Sequence, residues 1–248
     1  DGRYEGIVGD GYYATGSFEI RMGRENGGQS FGGGLETITS PNSNKWQFWD
    51  SRATVGQWTH AVLVYDGSAL TFWVNGVQMC TKGACSSSNS VKKAPMTGKV
   101  ESKANPFFIG GLGSEWFDGD IKNVVMYSAA LSTGQIQYLY AAQGTPPLPI
   151  APTMPSTSSL IAMYLTSAAF TDGTPNKDMS GNGHDLTGTV NVVSNYAQFR
   201  ASSDVLQASQ FTNFVFGSTF SLSVMFRRRA DDGRYEGIVG DGYYATGS

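Results

Sequence analysis

The sequence predicts an all-β protein: an antiparallel two-sheet sandwich with one short helix near residues 132–142. Three observations carry that expectation. Glycine is abundant, at 32 of 248 residues, while charged residues reach only 15%, a balance that suits strands joined by tight turns. Short apolar bursts recur along the chain, several alternating large apolar with small polar residues, and each is bounded by Gly, Asn or Asp. The stretch DGSALTFWVNGVQ places Asp66-Gly67 and Asn75-Gly76 at successive reversals, and these residues tolerate the positive φ of tight hairpin turns.

Taken in chain order, RYEGIV reads as a strand, followed by FEIRMG, WQFW, WTHAVLVYDG, LTFWVNGVQM and FFIGGL. In ALSTGQIQYLYAA, Ser132 is the expected N-cap, Leu131 stands just before it, and Ile136, Leu139 and Tyr140 share one helical face. SSLIAMYL supplies a buried strand, TDGTPNKDMSGNGHDLTG a long polar loop, and YAQF another strand at 196–199. In FSLSVMF, Phe220, Leu222, Val224 and Phe226 fall on one face.

The net charge is only −3, and no basic-aromatic stripe exists to follow a phosphate backbone, so nucleic acid is excluded as a partner. Arg227, Arg228 and Arg229 form the one dense basic cluster and are expected at the exit of a strand, as a solvated edge. No apolar run approaches the roughly 20 residues of a membrane span. Neither terminus has the basic-then-apolar layout of a signal peptide, so both are read as internal to something longer.

Residues 1–17, DGRYEGIVGDGYYATGS, recur unchanged at 232–248, an offset of 231 residues. A second copy of a strand has no slot of its own in a sheet, so the chain reads as a window on an array of near-identical units. A permuted domain with a redundant tail is the alternative. Between the halves lies GTPPLPIAPTMPSTSS, 144–159, whose five prolines remove backbone donors. It is expected to be an extended linker of about 3.1 Å per residue. Its Pro146, Pro147, Pro149, Pro152 and Pro155 are candidates for hydroxylation, and Thr145, Thr153, Ser156 and Thr157 for O-linked glycans. No N-x-[ST] acceptor is present. On this division, 1–143 is the later part of one domain and 160–248 the early part of the next, or of the same domain permuted. A neighbouring copy is the preferred completion.

In the order 160–231 then 1–143, three segments share a resemblance. GQWTHAVLVYDGSALTFWVNG, FDGDIKNVVMYSAALSTGQIQYLY and KDMSGNGHDLTG resemble segments of the laminin-G-like, concanavalin-like domains. That resemblance implies a jelly roll of two packed antiparallel sheets and a role in adhesion, carbohydrate binding or extracellular scaffolding. It also implies a Ca²⁺ on one rim, held at the matching positions Asp178, Asn182, Asp118 and Asp120. Lys122 and Asn123 depart from the family there and lower the available negative charge. The same Asp and Asn side chains can instead bond their own turns.

Cys80 and Cys85 enclose TKGA, a spacing that fits a small disulfide loop and an oxidising compartment, while two cysteines fall short of a structural zinc site. His60, beside Trp58 on a strand, is expected to be a packed structural histidine, and His184 lies in the polar loop. Neither adjoins a nucleophile motif. Glu115, Asp118 and Asp120 come closest to a glycosidase pair, but a turn expected at Asp118-Gly119 breaks the alternation, so no catalytic residue is expected. Among the aromatic residues, Trp58 and Trp73 are expected in the core, whereas Trp116, Tyr12 and Tyr13 lie near turns and suit a contact with a sugar or the next unit. These readings favour an extracellular structural subunit whose partners are other copies of itself, with a carbohydrate-binding adhesin as the alternative.

Overall fold

The structure, a computed structural model, describes residues 8–9, 18–25, 28–35, 47–49, 53–81, 94–100, 106–112, 115–142, 156–164, 177–201, 203–208 and 217–229. Its strands are β1 (Val8–Gly9), β2 (Phe18–Glu25), β3 (Gly28–Leu35), β4 (Gln47–Trp49), β5 (Trp58–Tyr65), β6 (Ala69–Val74), β7 (Val77–Gln78), β8 (Ala94–Pro95), β9 (Phe107–Ile109), β10 (Gly111–Leu112), β11 (Glu115–Trp116) and β12 (Gly119–Tyr127). After the helix α1 (Thr133–Ala142) and a 3₁₀ turn at Thr157–Ser159 come β13 (Leu160–Tyr164), β14 (Thr187–Gly188), β15 (Asn191–Val193), β16 (Tyr196–Phe199), β17 (Leu206–Ala208) and β18 (Phe220–Arg228).

Two antiparallel sheets form the sandwich. One runs β14-β17-β9-β1-β2-β3-β4, the other β15-β16-β12-β18-β5-β6-β7, with β13 also on β12 and β8 on β6. Period-two alternation sends Phe18, Ile20 and Met22 of β2 inward from the first sheet. Leu63 and Tyr65 of β5, Ile121 of β12 and Phe220, Leu222, Val224 and Phe226 of β18 meet them from the second. Phe18 and Phe220 touch across the gap with ring centroids 4.8 Å apart. β18 lies between β12 and β5, in register from Phe220 opposite Tyr65 to Arg227 opposite Trp58. Segments on either side of 144–159 thus pair in the same two sheets.

The turns follow their residues. Asn75 and Gly76 take φ of 51° and 77°, the left-handed pair that closes a two-residue hairpin between Val74 and Val77. The Asp66 carboxylate accepts from the N–H groups of Ser68 and Ala69 at 2.9 and 2.8 Å. Ser132 caps α1 by a reciprocal box: its Oγ accepts from Gln135 N at 3.4 Å, and Gln135 Oε1 accepts from Ser132 N at 2.8 Å. Leu131 and Ile136, one before the cap and one a turn inside, share a second apolar cluster with Val62, Val64, Val125 and Tyr127. That cluster seats α1 on the outer face of the larger sheet.

Several expectations are corrected. The arginine run is no solvated edge: β18 is an interior strand and Arg228 is buried, because the strand's neighbours come from distant sequence. Trp58 and Trp73 are half-buried on the outer face rather than in the core, while Trp49 is fully enclosed against Phe72. The last residues of the expected linker, 157–159, form a 3₁₀ turn with Ser156 as its cap, and the rest of it lies outside the described residues. Of the duplicated segment only Val8 and Gly9 are described; Tyr12, Tyr13, 143–155 and 230–248 lie outside the described residues.

Candidate functional site

β12 divides the outer face of the larger sheet in two. Its pairing with β18 shifts register between Lys122 and Val125, where Asn123 takes a positive φ of 52°. Beyond this bulge Val125 and Tyr127 pack under α1; before it, Asp118, Asp120 and Lys122, all three buried, share the half that α1 leaves uncovered. Gly119 opens the strand instead of making the expected turn, so Asp118 and Asp120 do fall on one face.

The uncovered half is a charge-and-aromatic cluster. Asp120 stands opposite Arg227 in register, and the Arg227 guanidinium donates to one carboxylate oxygen through Nε at 2.8 Å and Nη2 at 2.6 Å. Arg200 Nη2 donates to the other oxygen at 2.5 Å. One rim position along, Arg229 grips Asp118 with contacts of 2.8 and 3.1 Å. Lys122 Nζ lies 4.3 Å from the Trp58 ring centroid, Arg227 lies 5.0 Å from the same ring, and Tyr196 meets Trp58 edge-on at 5.6 Å. Burial first, and then the Arg227 charge, hold the Lys122 ammonium below the usual lysine pKa. The arrangement fixes two cations over one indole and shares a single carboxylate between two guanidiniums.

The residues expected to hold Ca²⁺ do not fit that role. Asp178 is saturated by its surroundings: Oδ1 accepts from Met163 N and Ser180 N, each at 2.9 Å, and Oδ2 accepts from Ser180 Oγ at 2.7 Å and His184 N at 3.1 Å. Asn182 donates to the carbonyls of Leu160 and Ile161 at 2.8 and 2.9 Å. Both clip their loop to β13. Met163 pairs with Val125, five residues along β12 from Asp120, so the two halves of the expected set sit at different positions along β12. Asp118 and Asp120 are engaged by guanidinium groups instead, and no group of three or more metal-ligating side chains forms among the described residues.

His60 is buried beneath α1, its Nε2 2.8 Å from Ser223 Oγ and its ring stacked on Tyr140 at 6.1 Å. Burial pushes its pKa down to about 3, so the ring is neutral at neutral pH. His184 is also buried, and burial lowers its pKa against the opposing charge of Asp178. Cys80 is buried and disulfide-bonded, while Cys85 lies outside the described residues. Trp116 pairs through β11 with Gly111. The sequence reading missed Arg200 and Tyr196 as site members and took Lys122 only as a departure from the family's pattern; the alternation of YAQFR, which sets Tyr196 and Arg200 on one face, was the available signal. No helix among the described residues is long and apolar enough to cross a membrane.

No curated protein and no solved structure matches the chain. A family model does: that of the concanavalin A-like lectin/glucanases superfamily, Laminin_G_3, over residues 4–137. Since the match takes in β5, β6, β12 and the start of α1, and the remaining strands complete the same two-sheet sandwich, the chain belongs to this laminin-G-like, concanavalin A-like family.

Proposed function

We propose that the chain is a non-catalytic structural module of an extracellular filament or stalk, assembled from tandem copies of this sandwich. The observation that carries the reading is the unbroken identity of 1–17 with 232–248, with the whole described sandwich from β2 to β18 lying between the two copies. Identical units present the same pair of surfaces repeatedly, and contacts between unlike surfaces then propagate without closing. Asp118 and Asp120, each held by arginine, support a non-enzymatic role, because a glycosidase needs one carboxyl to give a proton and the other to attack or activate water. A Cys80–Cys85 disulfide supports an oxidising, extracellular setting. Ser156 and Thr157 are exposed and remain candidates for glycans. Electron microscopy of the native material tests the proposal. An axial repeat is expected, and isolated monomers with no repeat would overturn it.

The second reading, a carbohydrate-binding adhesin that gains avidity from repeated units, is favoured by the Trp58–Tyr196 pair on the uncovered sheet face with Lys122 and Arg227 beside it. A glycan array that retains no ligand would reject it.

A further inference from the structure

β12 divides its far side between two neighbours: β16 pairs with residues 119–121, and β13 with 124–127. Along that second half β13 is outermost, since among the described residues no strand pairs with its other side. The edge reads LIAMY and carries no charge. An apolar edge with backbone groups aimed outward is a template for a strand from another molecule.

Residues 178–182 close this edge in place of a strand. Met163 N donates to Asp178 Oδ1 at 2.9 Å, and Met179 N donates to Met163 O at 2.8 Å. A carboxylate and one amide thus satisfy the two groups that a neighbouring strand would pair. Ser180 Oγ and Asn182 Nδ2 donate to Ile161 O at 3.1 and 2.9 Å, and Asn182 Nδ2 also reaches Leu160 O at 2.8 Å. The carboxylate is itself held: Ser180 N, Ser180 Oγ and His184 N donate to it, and Asp178 N donates to Asp185 Oδ1 at 2.8 Å. Ile161 has no counterpart on β12, whose adjacent Met126 and Tyr127 face Ala162 and Leu160, so the edge also bulges. Beside the loop, the largely exposed Lys177 lies 3.2 Å from Asp185. A bulge and a charge are two of the features by which exposed strands resist pairing.

We infer that residues 178–182 are an edge guard, which keeps a strand of a second copy from adding to the larger sheet at β13. An incoming strand has to displace these bonds, one of them to a carboxylate, before it makes any of its own, so addition brings no net gain while the loop is seated. With the loop released, Met163 N–H and C=O and Ile161 C=O turn to water. A strand that takes up two of them gains roughly tenfold or more in association. The occupant is a second copy because the release that opens one edge opens its twin, and like edges pair antiparallel across a two-fold axis. The loop's polar residues thereby do for the sheet edge what the sequence suggested they do for a cation. The inference rests on the hydrogen bonds of the fold and does not depend on the filament reading.

Sedimentation velocity of the full chain over a range of concentrations, wild type beside Asp178→Ala/Asn182→Ala, tests the guard. The double variant should dimerise with an association constant about tenfold or more above the wild type's. Its Met163 amide should exchange faster than the wild type's in the monomer and slow again in the dimer. Ile136→Ala, destabilised beneath α1 with the loop intact, should associate no more than the wild type. If the double variant fails to fold, Asp178→Asn, which keeps the shape but loses the charge, should shift both readouts in the same direction by less. Association no stronger than the wild type's overturns the guard. Association that leaves the Met163 amide unprotected overturns it too, because another surface then holds the copies. Equal association by Ile136→Ala does the same, since loss of stability is then sufficient.

Discussion

Lowering the pH should weaken this protein through His60. In the unfolded chain the imidazole titrates near 6.5, whereas in the fold burial holds it at about 3. Between these values the unfolded state binds the extra proton, so stability is intact above pH 6.5 and falls as the pH falls towards the folded value. Each pH unit costs about 1.4 kcal/mol. The step from pH 6.5 to 4.5 should remove roughly 2–3 kcal/mol, a large part of the about 5–15 kcal/mol typical of a domain. That window lies above the titration of Asp185, whose pKa is held below the usual carboxylate value chiefly by the hydrogen bond from Asp178 N. His184 acts in the same direction, so the control is His60→Gln, which leaves His184 in place. Urea midpoints of both proteins, followed from about pH 7 to 4.5, give the comparison. The wild type should lose stability more steeply than His60→Gln, whatever the offset caused by losing the Ser223 contact. Parallel curves would refute the account of a neutral, sealed histidine.

Other perturbations have equally direct readouts. Asp120→Ala takes the shared carboxylate from Arg200 and Arg227, both about one-third exposed, and should cost about 1–3 kcal/mol in denaturant unfolding; an unchanged midpoint would mean that water and remaining partners such as the Phe199 carbonyl satisfy the guanidiniums. Ile136→Ala empties the fully buried contact between α1 and the sheet and should cost about 2–4 kcal/mol, with faster amide exchange in 133–142 than elsewhere. Gly110 has a φ of 88°, and a Cβ there would run into the ring of Phe199, so Gly110→Ala should destabilise by on the order of 2–4 kcal/mol by calorimetry.

The sandwich was legible because its elements are local. Alternation placed Phe220, Leu222, Val224 and Phe226 on one face, and Asn75-Gly76 announced its turn, since side-chain period and positive φ are properties of neighbouring residues. The Ser132 cap was legible for the same reason. What failed was order across the sheet. Nothing near Arg227 reveals that its strand lies between β5 and β12, or that Asp120, far back in the sequence, stands opposite. The uncovered site was therefore only partly visible. Asp118 and Asp120 were singled out for a cation supplied by solvent, and the cations they meet are supplied by β16's exit and β18. The bulge at Asn123 was equally hidden, because it shows only against the partner strand's register.

The interior position of β18 also bears on how the chain leaves the ribosome. β5 and β12 are made before the strand that joins them and whose phenylalanines close the core. Until then the nascent chain carries two strand edges and an apolar face that only late synthesis can cover, a hazard for any fold dominated by distant pairings. Selection for slow, chaperone-attended translation would then act on the codons ahead of β18 rather than on its amino acids.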